Sequence, residues 1–399
     1  MIFSSLRNRN YALFVSSDFL GSIGQFVREV AVYWYVYEIT SSAIVLGVLG
    51  LCESVPRLTL ALFAGALADR YNRVRILQLI QFLSAIPVFI MSLLYYLGTL
   101  EVWHIIVLEV LVSVAKSASP SATQSLIHEL VPEKQIMNAV ALSSAAFNAA
   151  RVVGPSLGGT LILWIGVGGC FLLDGIVLLI AGLELLLIRH SGPTLDSANQ
   201  NFMSEIKAGL HYIRHAPTIL AIMGIAYTMT ILVGTYQRFL PVFAKHVFQV
   251  GPEGLGLLMS APGVGAMLTL LVLAGRGEKG DTRKLVWVMG ILSSATMIFF
   301  CMSRNLLIGL IFLALIGASQ IGFRTTARVV IQYDVPVELL GRVTSVFGID
   351  RGLQSLGSVL LGALTAAFGA ALGLGTAAVV SLLVTLVLYF FLKPPRGAA

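Results

Sequence analysis

Ionisable residues stand inside long apolar stretches of this chain, at spacings that place them on common helix faces. In the first such stretch, Asp18, Gln25 and Glu29 follow one another at i, i+7 and i+11, and Arg28 lies beside them. Charged groups are costly in apolar surroundings, so each of them requires a partner or a function. The chemistry open to them is ion pairing, binding of a polar solute, or uptake and release of a proton.

Later apolar stretches repeat this pattern. Glu53 and Arg57 are one helical turn apart, and Glu109, Ser113 and Lys116 share a helix face. We predict a polar cavity for a substrate and protons, lined by Asp18, Gln25, Arg28, Glu29, Glu53, Arg57, Lys116, Arg151, Asp350 and Arg351. The alternative is that the positive and negative groups, which nearly balance, pair with one another and fix the register of the helices.

A carboxylate that couples transport to protons must be able to lose its charge partner, because desolvation then favours its neutral form. Asp18, Glu29, Glu53 and Asp350 are the candidates for this function. Glu53 and Asp18 come first, since both lie well inside their apolar stretches. Glu109 is expected near a membrane interface and is given a smaller role.

The composition identifies the surroundings of these charges as a lipid bilayer. Of 399 residues, 57% are hydrophobic and only 11% are charged, whereas a soluble domain carries about 25% charged residues. A membrane-spanning helix needs ~20 mainly apolar residues. The pattern predicts twelve spans, near 11–37, 43–69, 75–98, 102–127, 137–165, 167–188, 217–244, 253–275, 285–303, 305–330, 340–368 and 370–392.

The distribution of Lys and Arg predicts the orientation of these spans. One set of span ends is rich in Lys and Arg, and the opposite set carries little beyond Lys245 and Arg304. By the positive-inside rule, both termini are then cytoplasmic, in a multi-pass protein of the inner (plasma) membrane. The net charge of +7 follows from this asymmetry, so it gives no reason to expect a nucleic-acid partner.

The chain divides into two related halves. We predict an N-terminal six-helix bundle over 1–188, a cytoplasmic linker with an amphipathic helix over 189–216, and a C-terminal six-helix bundle over 217–399. The segment "ELVPEKQIMNAV" precedes the fifth span and "YDVPVELLGRV" precedes the eleventh, at corresponding places. Two pseudo-symmetric bundles of six helices are the plan of a secondary transporter with a cavity near the midplane.

Several chemistries have no sequence signature here. The sequence contains no Gly-x-x-x-x-Gly-Lys-Ser/Thr phosphate loop, and its His and Cys residues have no metal-ligand spacing. The Gly-Pro-Ser-Leu-Gly at 154–158 lies inside the fifth apolar span with no strand before it, so it is not the nucleophile elbow of a hydrolase. We therefore predict no cofactor, no metal and no enzymatic activity.

The fifth span carries small residues that favour close packing. Gly154, Gly158 and Gly159 form a smooth helix face, and Pro155 removes a backbone hydrogen bond and permits a bend. Such a helix suits an interface that moves during transport. The alternative is ordinary helix packing.

Three segments resemble the major facilitator superfamily. "GALADRYNRVR" is similar to its loop signature between the second and third spans. Asn72 stands in place of the usual glycine, a mild departure because both residues can accept a left-handed turn. "ARVVGPSLGGTL" resembles the Gly-Pro motif of its exporters. "LRNRNYALF" and "LPVFAKHVFQVGPEGLGLL" look like the branch that contains macrolide efflux pumps and enterobactin exporters.

The resemblance implies a monomeric, proton-coupled exporter of an amphiphilic small molecule, such as a drug or a siderophore, that works by alternating access. The alternatives are an uptake carrier, a lipid transporter, and less plausibly a membrane-embedded enzyme or a channel. The resemblance also implies a conformational gate formed by Gly65, Asp69, Arg70, Arg73, Arg75, Gly154, Pro155, Gly158 and Arg342.

The acidic residue of the loop signature is the centre of this expected gate. A carboxylate at the C-terminus of its own helix is disfavoured by ~0.3–1 kcal/mol, so Asp69 needs a partner elsewhere. We expect that partner at the start of the eleventh span, near Arg342. The alternative is that the charged loop only fixes the orientation of the chain.

Overall fold

A computed structural model describes residues 4–189, 210–276, 281–348 and 350–392, with side chains in these ranges except at 57–58, 61–70, 276, 337–338, 351 and 392. The first helices are α1 (Arg9–Thr40), α2 (Ala43–Arg70), α3 (Arg73–Tyr96), α4 (Val102–Lys116), α5 (Ser119–Leu130) and α6 (Ile136–Leu186). The later ones are α7 (Pro217–Leu232), α8 (Pro252–Arg276), α9 (Thr282–Met302), α10 (Leu306–Asp334), α11 (Val337–Gly348), α12 (Asp350–Phe368) and α13 (Ala370–Leu392).

The predicted all-helical architecture is confirmed, and each predicted span coincides with helix along most of its length. The spans predicted at 137–165 and 167–188 are joined in α6 across Gly166, whose backbone is not helical (φ 71°, ψ 175°). Glycine adopts this positive φ at little cost, so the residue permits the chain to reverse within what is otherwise continuous helix. The span predicted at 102–127 is divided between α4 and α5.

Eight helical stretches among the described residues are long and apolar enough to cross a membrane. One of them, Glu133–Leu186, contains both predicted spans on either side of Gly166. Three predicted spans, 11–37, 43–69 and 340–368, do not reach this standard in their described residues, which are nevertheless mostly helical. The first of these, α1, is less apolar because it carries the charged residues of the predicted cavity.

The seventh predicted span is not one continuous helix. After α7 ends, the chain continues in a 3-10 turn (Tyr236–Phe239), a short helical turn (Leu240–Val242) and a π-helical turn (Phe243–Val247). Pro241 contributes to this break because it has no N–H group to donate to the preceding turn.

Asparagine side chains begin several helices. Asn72 caps α3, where its side chain accepts hydrogen bonds from the N–H groups of Val74 and Arg75. Its φ of −59° is not left-handed, so Asn72 does not adopt the left-handed turn that asparagine and glycine can both accept. Asparagine satisfies the free N–H groups of α3 here, which the usual glycine has no side chain to do.

The contacts of the chain divide it into two compact units. Unit 1 comprises Met1–Ser41, Cys52–Ala198 and Val250–Ser260, and unit 2 comprises Ser42–Leu51, Asn199–Gln249 and Ala261–Ala399. Each unit thus includes a short segment from the other half of the sequence, the beginning of α2 in unit 2 and the beginning of α8 in unit 1. The division into bundles at 188 and 216 stays a prediction.

Each unit has its own apolar core. In unit 1, α1 and α3 pack along α6, and the core includes Phe14, Leu77 and Leu126. In unit 2, α9 packs against α10 and α13, and the core includes Trp287 and Phe323. The packing of α1 on α6 brings the ionisable residues of unit 1 together.

Candidate transport site

Arg28 is the centre of a buried charge network in unit 1. Its side chain projects from α1 and is only 3% exposed. The Nε atom donates a hydrogen bond of 2.8 Å to Asp174 Oδ2 on α6, and Nη1 donates to Glu109 Oε1 on α4. One guanidinium therefore holds two carboxylates from two further helices, and we call these three residues the Arg28 triad.

A close approach of α1 and α6 makes room for this triad. Gly24 lies one turn before Arg28, and a Cβ atom there would collide with Asp174 Oδ1. The Asp174 carboxylate is completely buried against the α1 backbone. A larger residue at position 24 would displace the carboxylate or separate the two helices.

A second set of polar contacts lies beside the triad. Gln25 Nε2 donates to Glu29 Oε1 at 2.9 Å, and Lys116 Nζ donates to Gln25 Oε1 at 3.1 Å. Ser113 Oγ donates to the Glu53 carbonyl oxygen at 2.5 Å. The α4 face that the sequence predicts, with residues 109, 113 and 116, thus faces α1 and α2.

Glu53, Asp18 and Arg151 are the other described residues of the predicted cavity in unit 1. Glu53 is buried, and the Tyr33 hydroxyl donates to its Oε2 at 3.5 Å. Asp18 is half-buried and interacts electrostatically with Lys116. Arg151 is half-buried on α6. These residues of unit 1 form the candidate site, and their role in transport stays a prediction.

Asp350 belongs to unit 2. It is buried, and its Oδ2 accepts a hydrogen bond of 2.8 Å from Arg324 Nη2 on α10. Arg324 was not among the residues predicted for the cavity, so this pairing was not predicted. The side chains of Arg57 and Arg351, also predicted for the cavity, lie outside the described part of the structure.

The predicted glycine face of the fifth span packs closely in unit 1. A Cβ atom at Gly158 would lie 3.0 Å from Val27 Cα, and one at Gly154 would lie 2.6 Å from Phe26 Cβ. Pro155 is buried inside α6. The close helix contact is therefore present, and its conformational role stays a prediction.

The same helix meets the beginning of α8, also within unit 1. A Cβ atom at Gly256 would lie 3.1 Å from Gly159 Cα, so the two backbones approach closely. Ser156 Oγ and Ser260 Oγ are 2.8 Å apart in a hydrogen bond. Gly256 and Ser260 were not predicted as site residues, although the small residues of "GPEGLGLLMS" indicate close packing.

The residues of the expected gate at the second loop are only partly described. Arg73 is buried and forms an ion pair with Glu129 of α5, so it has a packing role besides its predicted role as an orientation signal. Arg75 is exposed, and Arg342 is half-buried on α11. The side chains of Asp69 and Arg70 and the packing around Gly65 in the same helix fall outside what the structure describes, and the expected latch stays a prediction.

The role of Glu109 was underestimated from the sequence, and Asp174 was not among the residues predicted for the cavity. Glu109 was expected near a membrane interface, but it is 4% exposed and bonded to Arg28. A signal existed in the sequence, because a buried arginine requires at least one carboxylate. Among the described residues, no group of His, Cys, Asp and Glu is arranged to hold a metal ion, and Cys52, Cys170 and Cys301 are free thiols.

An all-helical chain of this architecture, with ionisable residues gathered between its helices, is a transporter of the major facilitator superfamily. The family model described as a transmembrane secretion effector matches residues 1–399, and the chain belongs to this family. The protein is therefore a multi-pass membrane transporter of small molecules and not an enzyme.

Curated relatives are similar along most of the chain. The staphyloferrin A transporter of Staphylococcus aureus is 26% identical, over 94% of this chain and 95% of its own. Macrolide efflux protein A of Streptococcus pyogenes is 21% identical, over 85% of each chain. The solved structure of the nucleoside transporter NupG covers 96% of this chain and 99% of its own, with a TM-score of 0.75 and 13% identity, which shows the fold alone.

Proposed function

We propose that this protein exports an amphiphilic small molecule from the cytoplasm by alternating access, driven by protons that enter the cell. It works as a monomer in the inner (plasma) membrane, with both termini cytoplasmic. Drugs such as macrolides and carboxylate-rich siderophores are the candidate substrates, because relatives along most of the chain bear the names of a macrolide efflux protein and a staphyloferrin A transporter.

The observation that carries this proposal is the set of ionisable side chains inside unit 1. Buried charges are costly in a membrane protein, and they concentrate where ions or substrates pass. The polar contacts of Gln25, Glu29 and Lys116 lie next to the Arg28 triad and to Glu53. This arrangement supplies both hydrogen-bonding groups for a polar solute and carboxylates that can take up a proton.

Transport by the purified protein in proteoliposomes tests the proposal. Radiolabelled erythromycin and staphyloferrin A are each offered under an imposed pH gradient, inside acidic, so that a proton antiporter accumulates its substrate. The matched controls are protein-free liposomes and the same proteoliposomes after nigericin has collapsed the gradient. Accumulation that needs both protein and gradient supports the proposal, and accumulation that ignores the gradient contradicts proton coupling.

The proposed orientation has its own test. Single cysteines are introduced at exposed positions in a variant without Cys52, Cys170 and Cys301, and a membrane-impermeant maleimide is applied to intact cells. Cysteine in place of Arg75 should be protected in intact cells and react after lysis. Reaction in intact cells would contradict the cytoplasmic assignment of this loop.

A further inference from the structure

We propose that Glu109 carries the coupling proton, and that Asp174 is the fixed counter-ion of Arg28. This inference rests on the proposed proton-coupled transport and assigns its proton to one residue. It differs from the expectation from sequence, which put Glu53 and Asp18 first.

The Arg28 triad contains more carboxylates than cations. One guanidinium faces two carboxylates, and none of the three side chains is more than 6% exposed. With both carboxylates ionised, the triad carries a net negative charge in a buried place. With one proton bound, it is neutral, which costs less free energy in surroundings of low dielectric. The triad is therefore built to hold one exchangeable proton.

Asp174 is the carboxylate of the triad that keeps its charge. Asp174 is completely buried, and its Oδ1 has no hydrogen-bond partner in the described part of the chain. Gly24 closes the space beside this oxygen. Arg28 Nε is the donor that compensates the charge of Asp174, and among the described residues no hydrogen-bonded group links Oδ1 to a route for a proton. Asp174 is thus poorly placed to receive a proton and well placed to anchor Arg28.

Glu109 lies beside polar and charged groups of two other helices, α1 and α2. On α4 it shares a face with Ser113 and Lys116, which contact α2 and α1. Glu53 of α2 and Glu29 of α1 both act electrostatically on Glu109. These neighbours give Glu109 a polar side along which a proton can arrive.

The resulting step is a simple protonation. A proton binds the Glu109 carboxylate, which becomes a neutral carboxyl and loses its charge-assisted bond to Arg28 Nη1. Arg28 keeps its bond to Asp174, and its freed nitrogen is attracted to Glu29, with which it already interacts electrostatically. Release of the proton on the other side of the membrane restores the bond to Glu109. The Arg28 guanidinium thus moves away from Glu109 on α4 and toward Glu29 on α1. Glu29 also accepts a hydrogen bond from Gln25, which is in turn bonded to Lys116.

Infrared difference spectroscopy of the purified full-length protein tests this assignment without any substrate. Spectra recorded across a pH titration should contain the C=O stretch of a protonated buried carboxyl group in the wild type. Glu109→Gln should remove that band, and Glu184→Gln should keep it. Glu184 is the matched control, since it is also a carboxylate inside a predicted span but bonds to Ser16. A band that persists in Glu109→Gln would overturn the proposal.

A conservative variant keeps the test decisive if Glu109→Gln does not fold. Glu109→Asp retains a carboxyl group with a shorter side chain, so the band should shift in frequency. An unshifted band would assign the proton to another residue and overturn the proposal.

Transport of erythromycin separates this inference from the proposed function. If wild type accumulates erythromycin under a pH gradient, Glu109→Gln should lose accumulation by a larger factor than it loses exchange of internal for external erythromycin. Equal losses would mean that Glu109 is structural and would overturn the inference. If the wild type does not respond to the gradient, the proposed function fails, while the infrared band still decides which carboxyl titrates.

Discussion

Unit 1 and unit 2 treat their buried charges differently. In unit 1, Arg28 and both of its partners are almost completely enclosed. In unit 2, the side chain of Arg324 is 39% exposed and that of Arg283 is 41% exposed, so each arginine is partly exposed while its carboxylate is more buried. The desolvation cost of an ion pair is therefore much greater in unit 1.

This difference indicates where transport chemistry has shaped the chain. A pair with an exposed arginine is stable for ordinary reasons and needs no further function. A fully enclosed triad of one arginine and two carboxylates has a large desolvation cost. Such a cost is expected where a proton is bound and released. Variants of the two units can therefore show whether the contrast is functional or only structural.

The largest effect is expected for Arg28→Met. This change leaves Glu109 and Asp174 buried without their cation, and the loss of one partner of a buried pair costs about 3–5 kcal/mol. Arg324→Met in unit 2 should cost less, about 1–3 kcal/mol, the range for one buried group left without its partner. Thermal unfolding of the purified proteins in detergent measures both effects.

A compensated variant is the control for this prediction. Addition of Glu109→Gln and Asp174→Asn to Arg28→Met removes the uncompensated charges, so part of the lost stability should return. If Arg28→Met unfolds at the wild-type temperature, the contrast between the two units is wrong.

The next effect is expected for Gly158→Leu. The added side chain meets the α1 backbone at Val27, and overpacking of this kind costs about 1–3 kcal/mol. Since the helices would be held apart at a contact that is proposed to move, transport should fall more than the amount of inserted protein. Erythromycin transport per molecule of protein measures the effect.

Gly275→Leu, near the end of α8, is the matched control, because a Cβ atom at Gly275 has no neighbour within 4 Å among the described residues. It should transport at close to the wild-type rate. A wild-type rate in Gly158→Leu would show that close packing of α6 on α1 is not needed for the cycle.

A smaller effect on stability, and a specific one on coupling, is expected for Glu53→Gln. Glutamine can replace the carboxylate in its contact with Tyr33, so stability should change by about 1 kcal/mol or less. Uphill transport should fall by a larger factor than exchange, because the charge next to Glu109 has been removed. The ratio of accumulation to exchange measures this change.

Comparison with Glu109→Gln ranks the two residues. The proposal that Glu109 carries the proton requires the smaller loss of uphill transport in Glu53→Gln. The reverse order would return the proton to Glu53, as the sequence analysis expected.

The sequence predicts the helices better than it predicts their partners. Arg28 is recognised as a cavity residue from its position in an apolar stretch, but its partners on α4 and α6 depend on how each helix is rotated and tilted. Asp350 shows the same limit, since Arg351 is adjacent in sequence, while the partner observed is Arg324 on α10. Side-chain pairs between helices are set by packing, and local spacing does not contain that information.

Features that depend only on nearby residues are predicted more reliably, although not always for the right reason. Gly166 separates two spans where the hydropathy pattern places the division. Asn72 stands at the predicted loop, but its function there is to cap α3 and not to adopt a left-handed turn. The break in the seventh span after α7 was not predicted, although Gly234, Gln237 and Arg238 interrupt the apolar pattern there.

The smallest effect is expected for Arg283→Gln in unit 2. Arg283 Nη2 lies 2.7 Å from Asp334 Oδ1, but its side chain is 41% exposed. Water and salt screen such a pair, and exposed pairs contribute only about 0–1 kcal/mol. The unfolding temperature should therefore barely change, and any change should shrink as the salt concentration rises. A double-mutant cycle with Asp334→Asn isolates the coupling of the two side chains. A loss as large as that of Arg28→Met, insensitive to salt, would mean that unit 2 also depends on a buried charge pair, and the contrast between the units would then lose its functional meaning.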